Sequence, residues 1–370
     1  MLAMRTDLRM GDPAAARRIA EAVPANARIR TDPDFRWMLA SACFLSRDYG
    51  AAEEPLLALF RASQRRDSRK AAAAYGLCGV YWKTGNILEQ LRFALWLHTA
   101  VREQNLYLGA PSGIEDLTVY WAISGWDLNL LLEAEAPIDA LQAFIKQNPK
   151  LPDIRLVQYS LAVRLARENR YEQAAEIYGS INAVRRAPRM KRLAALYREA
   201  NRSDLTRAQQ QEASYRVADF LQVNANGIYF NDALWSGLQR YAMQQDSGDT
   251  RMTRAEREAR LGLERKLKDD QEERWRAYLI LRKIVQDSGH SDTGRRAAEL
   301  AVRCLRGINT DRFGREEEIR RADIELSSRI RRSRRAAAGM TKRAGAKTAR
   351  VKYLCRFQRV GPDVILRGVL

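Results

Sequence analysis

Residues that build metal and nucleophile sites are scarce in this sequence. It holds 2 histidines and 4 cysteines among its 370 residues. The histidines, His98 and His290, stand far apart, and no two cysteines have the C-x-x-C spacing. A structural zinc site needs several converging ligands, usually supplied as two close pairs. We therefore expect no metal site and no disulfide framework, which is typical of a protein from a reducing compartment.

Motifs for catalysis and phosphate binding are missing as well. The isolated histidines offer no serine–histidine–acid or cysteine–histidine arrangement. The glycine-containing segment 109–113 lacks the lysine and the strand–turn–helix context of a phosphate-binding loop. Neighbouring acids such as Glu133 and Glu135 stand among basic residues, which favours charged helix faces over acid–base catalysis. We expect a protein that is not an enzyme and needs no cofactor.

The sequence also lacks a long apolar run. No stretch approaches the roughly 20 apolar residues of a membrane span, and residues 1–12 do not resemble a secretory signal. Gly11, Pro13 and Ala16 resemble the turn and second helix of a unit whose first helix would lie mostly before Met1. Two interpretations follow, that the chain is a fragment or that it starts at a late initiation site. The location is cytoplasmic by default, and periplasmic or membrane-associated if a signal precedes this chain.

Positive charge is concentrated at the C-terminal end. The chain carries a net charge of +19, and residues 329–370 hold 13 Lys or Arg with 1 acidic residue. The remaining 328 residues hold 51 basic and 44 acidic groups, a balance that indicates solvated helix faces. The low-complexity tail 331–370 is expected to be disordered.

A pattern of paired helices recurs through the first half of the chain, where Ala, Leu, Arg and Glu dominate. The first residue of each second helix is expected at Pro13, Tyr49, Ile87, Ile138 and Tyr171, in steps of 36, 38, 51 and 33 residues. Two positions earlier, Gly11, Gly85 and Asn169 tolerate the left-handed backbone that ends a helix, whereas Arg47 and Ala136 do not. Small residues such as Ala162 and Ala174 would let the paired backbones approach closely.

This spacing and residue pattern resemble the tetratricopeptide-repeat superfamily, of the bacterial type, over residues 1–185, with a looser helical-repeat resemblance at 270–310. The resemblance implies an all-α fold, a right-handed α-solenoid of stacked helical hairpins. It also implies a non-catalytic scaffold or adaptor whose concave face binds partner peptides or helices.

Four regions follow from these patterns. Residues 1–185 form the repeats, 186–250 an irregular helical segment with an aromatic insertion, 251–330 a C-terminal repeat with a capping helix, and 331–370 the basic tail. In the later regions we expect a helix over 213–223, and Thr253 with Glu256 as a capping box.

The aromatic insertion and the tail supply the candidate binding residues. Tyr229, Phe230, Trp235 and Tyr241 are candidates to line a pocket for an apolar anchor of a partner, or else they close the core where the repeat packing is interrupted. The candidate anion contacts are Arg331, Arg332, Arg334, Arg335, Lys342 and Arg343. Two alternative functions remain open. One is nucleic-acid binding by the basic surface and tail, and the other is a periplasmic or membrane-tethered assembly factor.

Overall fold

The computed structural model describes residues 1–64, 68–104, 128–234, 253–288 and 291–332. Across these ranges all regular structure is helical and no strand occurs, which confirms the all-α prediction. Contacts divide the chain into two compact units, the first containing Met1–Ala194 and Gly227–Gln271, the second Ala195–Asn226 and Glu272–Leu370. The sequence boundaries at 185, 250 and 330 follow a different division, because residues 227–271 group with the N-terminal helices.

The helices are numbered in chain order. They are α1 (Leu2–Arg9), α2 (Pro13–Glu21), α3 (Pro33–Leu45), α4 (Tyr49–Ala62), α5 (Ser68–Thr84), α6 (Ile87–Gln104), α7 (Ile138–Gln147), α8 (Ile154–Arg167), α9 (Tyr171–Ser180), α10 (Arg186–Ala200), α11 (Arg207–Val223), α12 (Arg254–Gln271), α13 (Glu273–Ser288), α14 (Asp292–Arg306), α15 (Thr310–Phe313) and α16 (residues 316–332). Short 3₁₀ and π-helical turns occupy Arg28–Thr31 and Leu131–Glu135.

Helices of the first unit pack in neighbouring pairs. From α1 to α6, and again from α7 to α9, each helix contacts the next along the chain. The predicted starts of the second helices are all confirmed. Each predicted residue begins a helix: Pro13 in α2, Tyr49 in α4, Ile87 in α6, Ile138 in α7 and Tyr171 in α9.

The same turn joins four of these pairs. A left-handed residue follows each of α1, α3, α5 and α8, which we call the leading helices. The four residues are Gly11 (φ 77°), Arg47 (φ 63°), Gly85 (φ 73°) and Asn169 (φ 62°). In each turn the next amide donates to a carbonyl five residues earlier: Asp12 to Asp7, Asp48 to Cys43, Asn86 to Tyr81 and Arg170 to Leu165, at 2.8–2.9 Å. This bond satisfies a carbonyl that the helix end leaves unpaired.

Neither Arg47 nor Ala136 was expected to adopt a left-handed backbone, and this was wrong for Arg47 and correct for Ala136. Arg47 adopts the left-handed conformation despite its β-carbon, because the hydrogen bond from Asp48 to Cys43 fixes the turn. Ala136 keeps a φ of −67° and an extended backbone. In three turns the following residue then caps the second helix: Asp12, Asp48 and Asn86 accept from the amides of Ala15, Ala51 and Glu89.

Small residues of the paired helices are buried. Ala16, Ala52, Ala162 and Ala174 are fully buried, as expected of residues that let paired backbones approach closely. Cys43 and Cys78 are also buried and form no disulfide, as expected of packing residues.

The second unit is built around α13, which packs against α14, with α11 in contact with both. Ala297, Ala301 and Leu305 are buried along one face of α14, and burial raises the pKa of the Cys304 thiol to about 12. The helix expected over 213–223 instead begins at Arg207. The reason is a capping box that the sequence reading missed, in which Thr206 and Gln209 bond each other's amides.

Replacing Arg47 by glycine should stabilise the first unit by about 1 kcal/mol, because glycine adopts the left-handed conformation without strain. The side chain of Arg47 is exposed, so little packing is lost. The midpoint of urea unfolding measures the change.

Arg18 provides the matched control. It is exposed within α2, where Arg18→Gly should lower stability by up to about 1 kcal/mol through helix propensity. If Arg47→Gly and Arg18→Gly lowered the stability equally, the left-handed backbone of Arg47 would not be strained.

Candidate functional site

Residues 228–232 form a segment that packs within the first unit and is buried except at Asp232. Ile228, Tyr229 and Asn231 have no exposed surface, and Phe230 is nearly buried. The segment contacts side chains from the π-helical turn Leu131–Glu135 and from α8, α9 and α10. It therefore lies within the first unit as a bound length of chain.

Two buried arginines bind the backbone of this segment. Arg186 of α10 donates to the carbonyls of Ile228 (3.2 Å) and Phe230 (2.8 Å). Arg167 of α8 donates through Nε and Nη2 to the carbonyl between them, that of Tyr229, at 2.9 and 2.8 Å. Consecutive carbonyls thus bind the two arginines alternately, along a backbone that bends at residues 227–229. Such contacts recognise a backbone rather than a particular side chain.

The carboxylate of Glu133 lies at the centre of the site. Its Oε2 accepts from Arg167 Nη2 at 2.6 Å and from Gln271 Nε2 at 3.1 Å, and its Oε1 accepts from Asn231 Nδ2 at 2.6 Å. The side chains of Glu133 and Arg167 are 0% and 5% exposed. Desolvation of both charges is costly, and these hydrogen bonds offset the cost. The interpretation of Glu133 as part of a solvated helix face was wrong.

Tyrosines connect the site to a helix-pair turn. Tyr171 donates to the side chain of Asn169, the left-handed turn residue, at 2.7 Å. Because this donation uses the only hydroxyl proton of Tyr171, the 2.8 Å contact with Tyr229 requires Tyr229 to donate. Tyr159 donates to Asp232, and burial raises the pKa of Tyr159, so its hydroxyl stays protonated. The turn and the bound segment therefore hold each other in place.

A second part of the chain lies against α5. Lys83 Nζ contacts both carboxylate oxygens of Glu256, from α12, at 2.8 and 2.9 Å. Lys83 and Arg167 occupy equivalent positions, each two residues before a left-handed turn residue. At the far end of α12, Leu267 packs with Leu130 and Phe230. Lys83 of α5 and Arg167 of α8 thus each bind a residue from the later segment 227–271.

A basic patch lies at the start of α10. Arg185 is exposed just before the helix, and the half-buried Arg189 and the exposed Arg192 are three residues apart on one side of it. Lys191 is also exposed, and Val184 beside them is 78% exposed. The first turn of α10 contains no acidic residue, and these four cations form no ion pair within the described part of the chain. We call Arg185, Arg189, Lys191 and Arg192 the α10 patch.

The predicted binding residues divide into three groups. Tyr229 and Phe230 are buried in the first unit, where hydrogen bonds and packing take up both residues, which is the position expected if they close the core. Arg331 and Arg332 are exposed on the last turn of α16. The other candidates lie outside the described residues: Trp235, Tyr241, Arg334, Arg335, Lys342 and Arg343.

Sequence reasoning missed the residues that hold the site together. Glu133, Arg167, Ser160 and Asn231 were not predicted as partners, although Asn231 donates to Ser160 at 3.0 Å as well as to Glu133. One signal was available. Arg167 ends an apolar stripe of α8 and occupies the position that Lys83 holds in α5.

The described residues show neither a metal site nor a membrane span. No group of three or more His, Cys, Asp or Glu side chains within them converges on a common point. None of their helices is both long enough and apolar enough to cross a bilayer. Comparison of the chain with protein-family models, with curated proteins and with solved structures finds no match.

Replacing Glu133 by glutamine should destabilise the first unit by about 3–5 kcal/mol, because Arg167 would remain buried without its counter-charge. Combining it with Arg167→Met should cost less than the sum of the two single changes, since the pair is lost together. Thermal unfolding of the full chain measures each variant.

The control is Glu168→Gln, the same chemical change at a side chain that is 54% exposed and 3.7 Å from Arg170. It should cost less than about 1 kcal/mol. A similar small loss at Glu133 would show that the buried pair does not hold the site together.

Proposed function

We propose that the protein is a non-catalytic scaffold of the tetratricopeptide-repeat type. In this proposal its helix pairs stack as a right-handed α-solenoid, and the leading helices bind peptide or helical segments of partner proteins. One observation carries the proposal: two leading helices of the first unit already bind other lengths of chain, α8 binding residues 228–232 and α5 binding α12.

The chemistry of this binding supports a recognition role. Arg167 and Arg186 contact main-chain carbonyls, which every peptide presents, while Asn231 and Asp232 show how side chains of a bound segment add specificity. Main-chain contacts combined with side-chain contacts are the usual basis of extended-peptide recognition. The internal segment is thus an example of the ligand class that we assign to the surface.

Nucleic-acid binding is the second candidate, and the α10 patch favours it. Like charges spaced four residues apart weaken a helix, and cations near a helix N-terminus oppose its dipole. A cluster that is unfavourable for the helix itself fits an anionic partner. Phosphate groups and carboxylates both meet this requirement.

A random peptide library selected on the full-length chain should yield peptides that bind with micromolar affinity in titration calorimetry. The selected peptides should contain a shared pattern, because side-chain contacts add specificity to main-chain binding. Scrambled versions of the same peptides serve as controls. Equal binding of selected and scrambled peptides would overturn the scaffold proposal.

Substitution of the α10 patch separates the two functions. Arg185→Gln, Arg189→Gln and Arg192→Gln are combined, and Arg18→Gln, Arg28→Gln and Arg47→Gln serve as a control triple with the same loss of charge. Fluorescence anisotropy with single-stranded RNA and duplex DNA is measured over a salt series. We expect weak binding that falls steeply with salt and equally in both triples, as non-specific attraction does.

The opposite result would establish nucleic acid as the partner. It would be tight binding that survives moderate salt, is lost in the patch triple and is retained in the control triple. Substituting the exposed Arg331 and Arg332 by glutamine in the same chain measures what the C-terminal cations add.

A further inference from the structure

Helix α12 differs from the helices it contacts in how little of it is buried. Among the residues of α12 whose side chains are described, only Leu267, Lys268 and Gln271 are buried. By comparison, α8 buries nine of its 14 residues. Leu261, near the middle of α12, is 42% exposed. Since apolar burial is the main source of docking energy, α12 gains less stabilisation from it than the helix pairs do.

The contact at its N-terminal end is asymmetric. The side chain of Lys83 is 7% exposed, whereas that of Glu256 is 35% exposed. Lys83 Nζ also lies 4.1 Å from the centre of the Trp82 ring, which orients the ammonium group independently of α12. The receptor side of this ion pair is therefore built into α5, and the ligand side is the part that can be exchanged.

Glu256 is charged under ordinary conditions. Burial alone would raise its pKa, but hydrogen bonds from Lys83 and Thr253 more than offset this, so the pKa lies below the usual value. Thr253 and Glu256 also form the capping box expected from the sequence, with the Thr253 amide bonded to the carboxylate at 2.7 Å. The acid that contacts Lys83 thus also stabilises the start of its own helix.

Two of the contacts that hold α12 have a defined spacing, in addition to the bond from Gln271 at its end to Glu133. Glu256 and Leu267 are eleven residues apart, about three helical turns, so they lie on the same face of the helix. Glu256 contacts Lys83, and Leu267 packs with Leu130 and Phe230. Between them the described side chains of α12 are at most partly buried.

From these contacts we propose that α12 occupies, within the same chain, the binding surface for a partner helix. The partner is an amphipathic helix with a carboxylate near its N-terminus and a leucine eleven residues later on the same face. This inference rests on the proposed scaffold function and specifies its ligand. The partner helix displaces α12 by forming the same contacts to Lys83, Leu130 and Phe230.

The test uses a fluorescein-labelled peptide of residues 253–271 and the full-length chain. In the wild-type chain α12 competes with the peptide, so binding is weak. In a chain carrying Glu256→Lys, the internal helix is repelled from Lys83, and we expect the peptide to bind at least tenfold more tightly. A peptide that itself carries Glu256→Lys should lose that gain, and so should one carrying Leu267→Asp.

Exchanging the charges of Lys83 and Glu256 distinguishes a specific loss of binding from misfolding of a variant. A chain with Lys83→Glu should bind the Glu256→Lys peptide better than the wild-type peptide. The double variant Lys83→Glu with Glu256→Lys in one chain should restore the competition seen in the wild type. Circular dichroism of each chain verifies that its helices are intact.

The outcomes separate this inference from the scaffold function. If the peptide binds the Glu256→Lys chain no better than the wild-type chain, or if both peptides bind it equally, α12 is an integral part of the fold and the inference is wrong. Library-selected peptides that still bind would then leave the scaffold function in place at another surface. Failure of both experiments would overturn both proposals.

Discussion

The buried ion pair of Glu133 and Arg167 is the contact on which the organisation of the first unit depends. Through one carboxylate it joins the π-helical turn to α8, to Asn231 of the bound segment and to Gln271 at the end of α12. Through one guanidinium it also holds the backbone of Tyr229. Because a charge without a partner is costly to bury, the pair constrains all these elements together.

Local rules determine the helix pairs, and these were predictable. The second helices begin at the expected residues because left-handed turn residues and Asx caps act within a few positions of one another. Arg47 shows where such rules fail. Its conformation is imposed by the hydrogen bond of the surrounding turn, so the residue type alone predicted the wrong backbone.

The site was not predictable, because its partners are distant in sequence. Asn231 and Glu133 are separated by 98 residues, and Lys83 and Glu256 by 173. A buried glutamate and a solvated one look alike in sequence, and only the fold distinguishes them. The sequence left two roles open for the aromatic insertion, and the buried positions of Tyr229 and Phe230 match the one in which they close the core. Residue type therefore identified the unusual segment, and only the contacts in the structure showed what the segment does.

The same separations have a consequence during synthesis. Contacts within a helix pair join residues that are near in sequence and form early, whereas contacts across long separations form late. A ribosome completes α1 to α9 before residues 228–271 exist. During that interval Glu133 and Arg167 have neither Asn231, Tyr229 nor Gln271 beside them, and Lys83 has no Glu256. In the nascent chain, Lys83 of α5 and Arg167 of α8 therefore stay without these contacts until residues 228–271 have been synthesised.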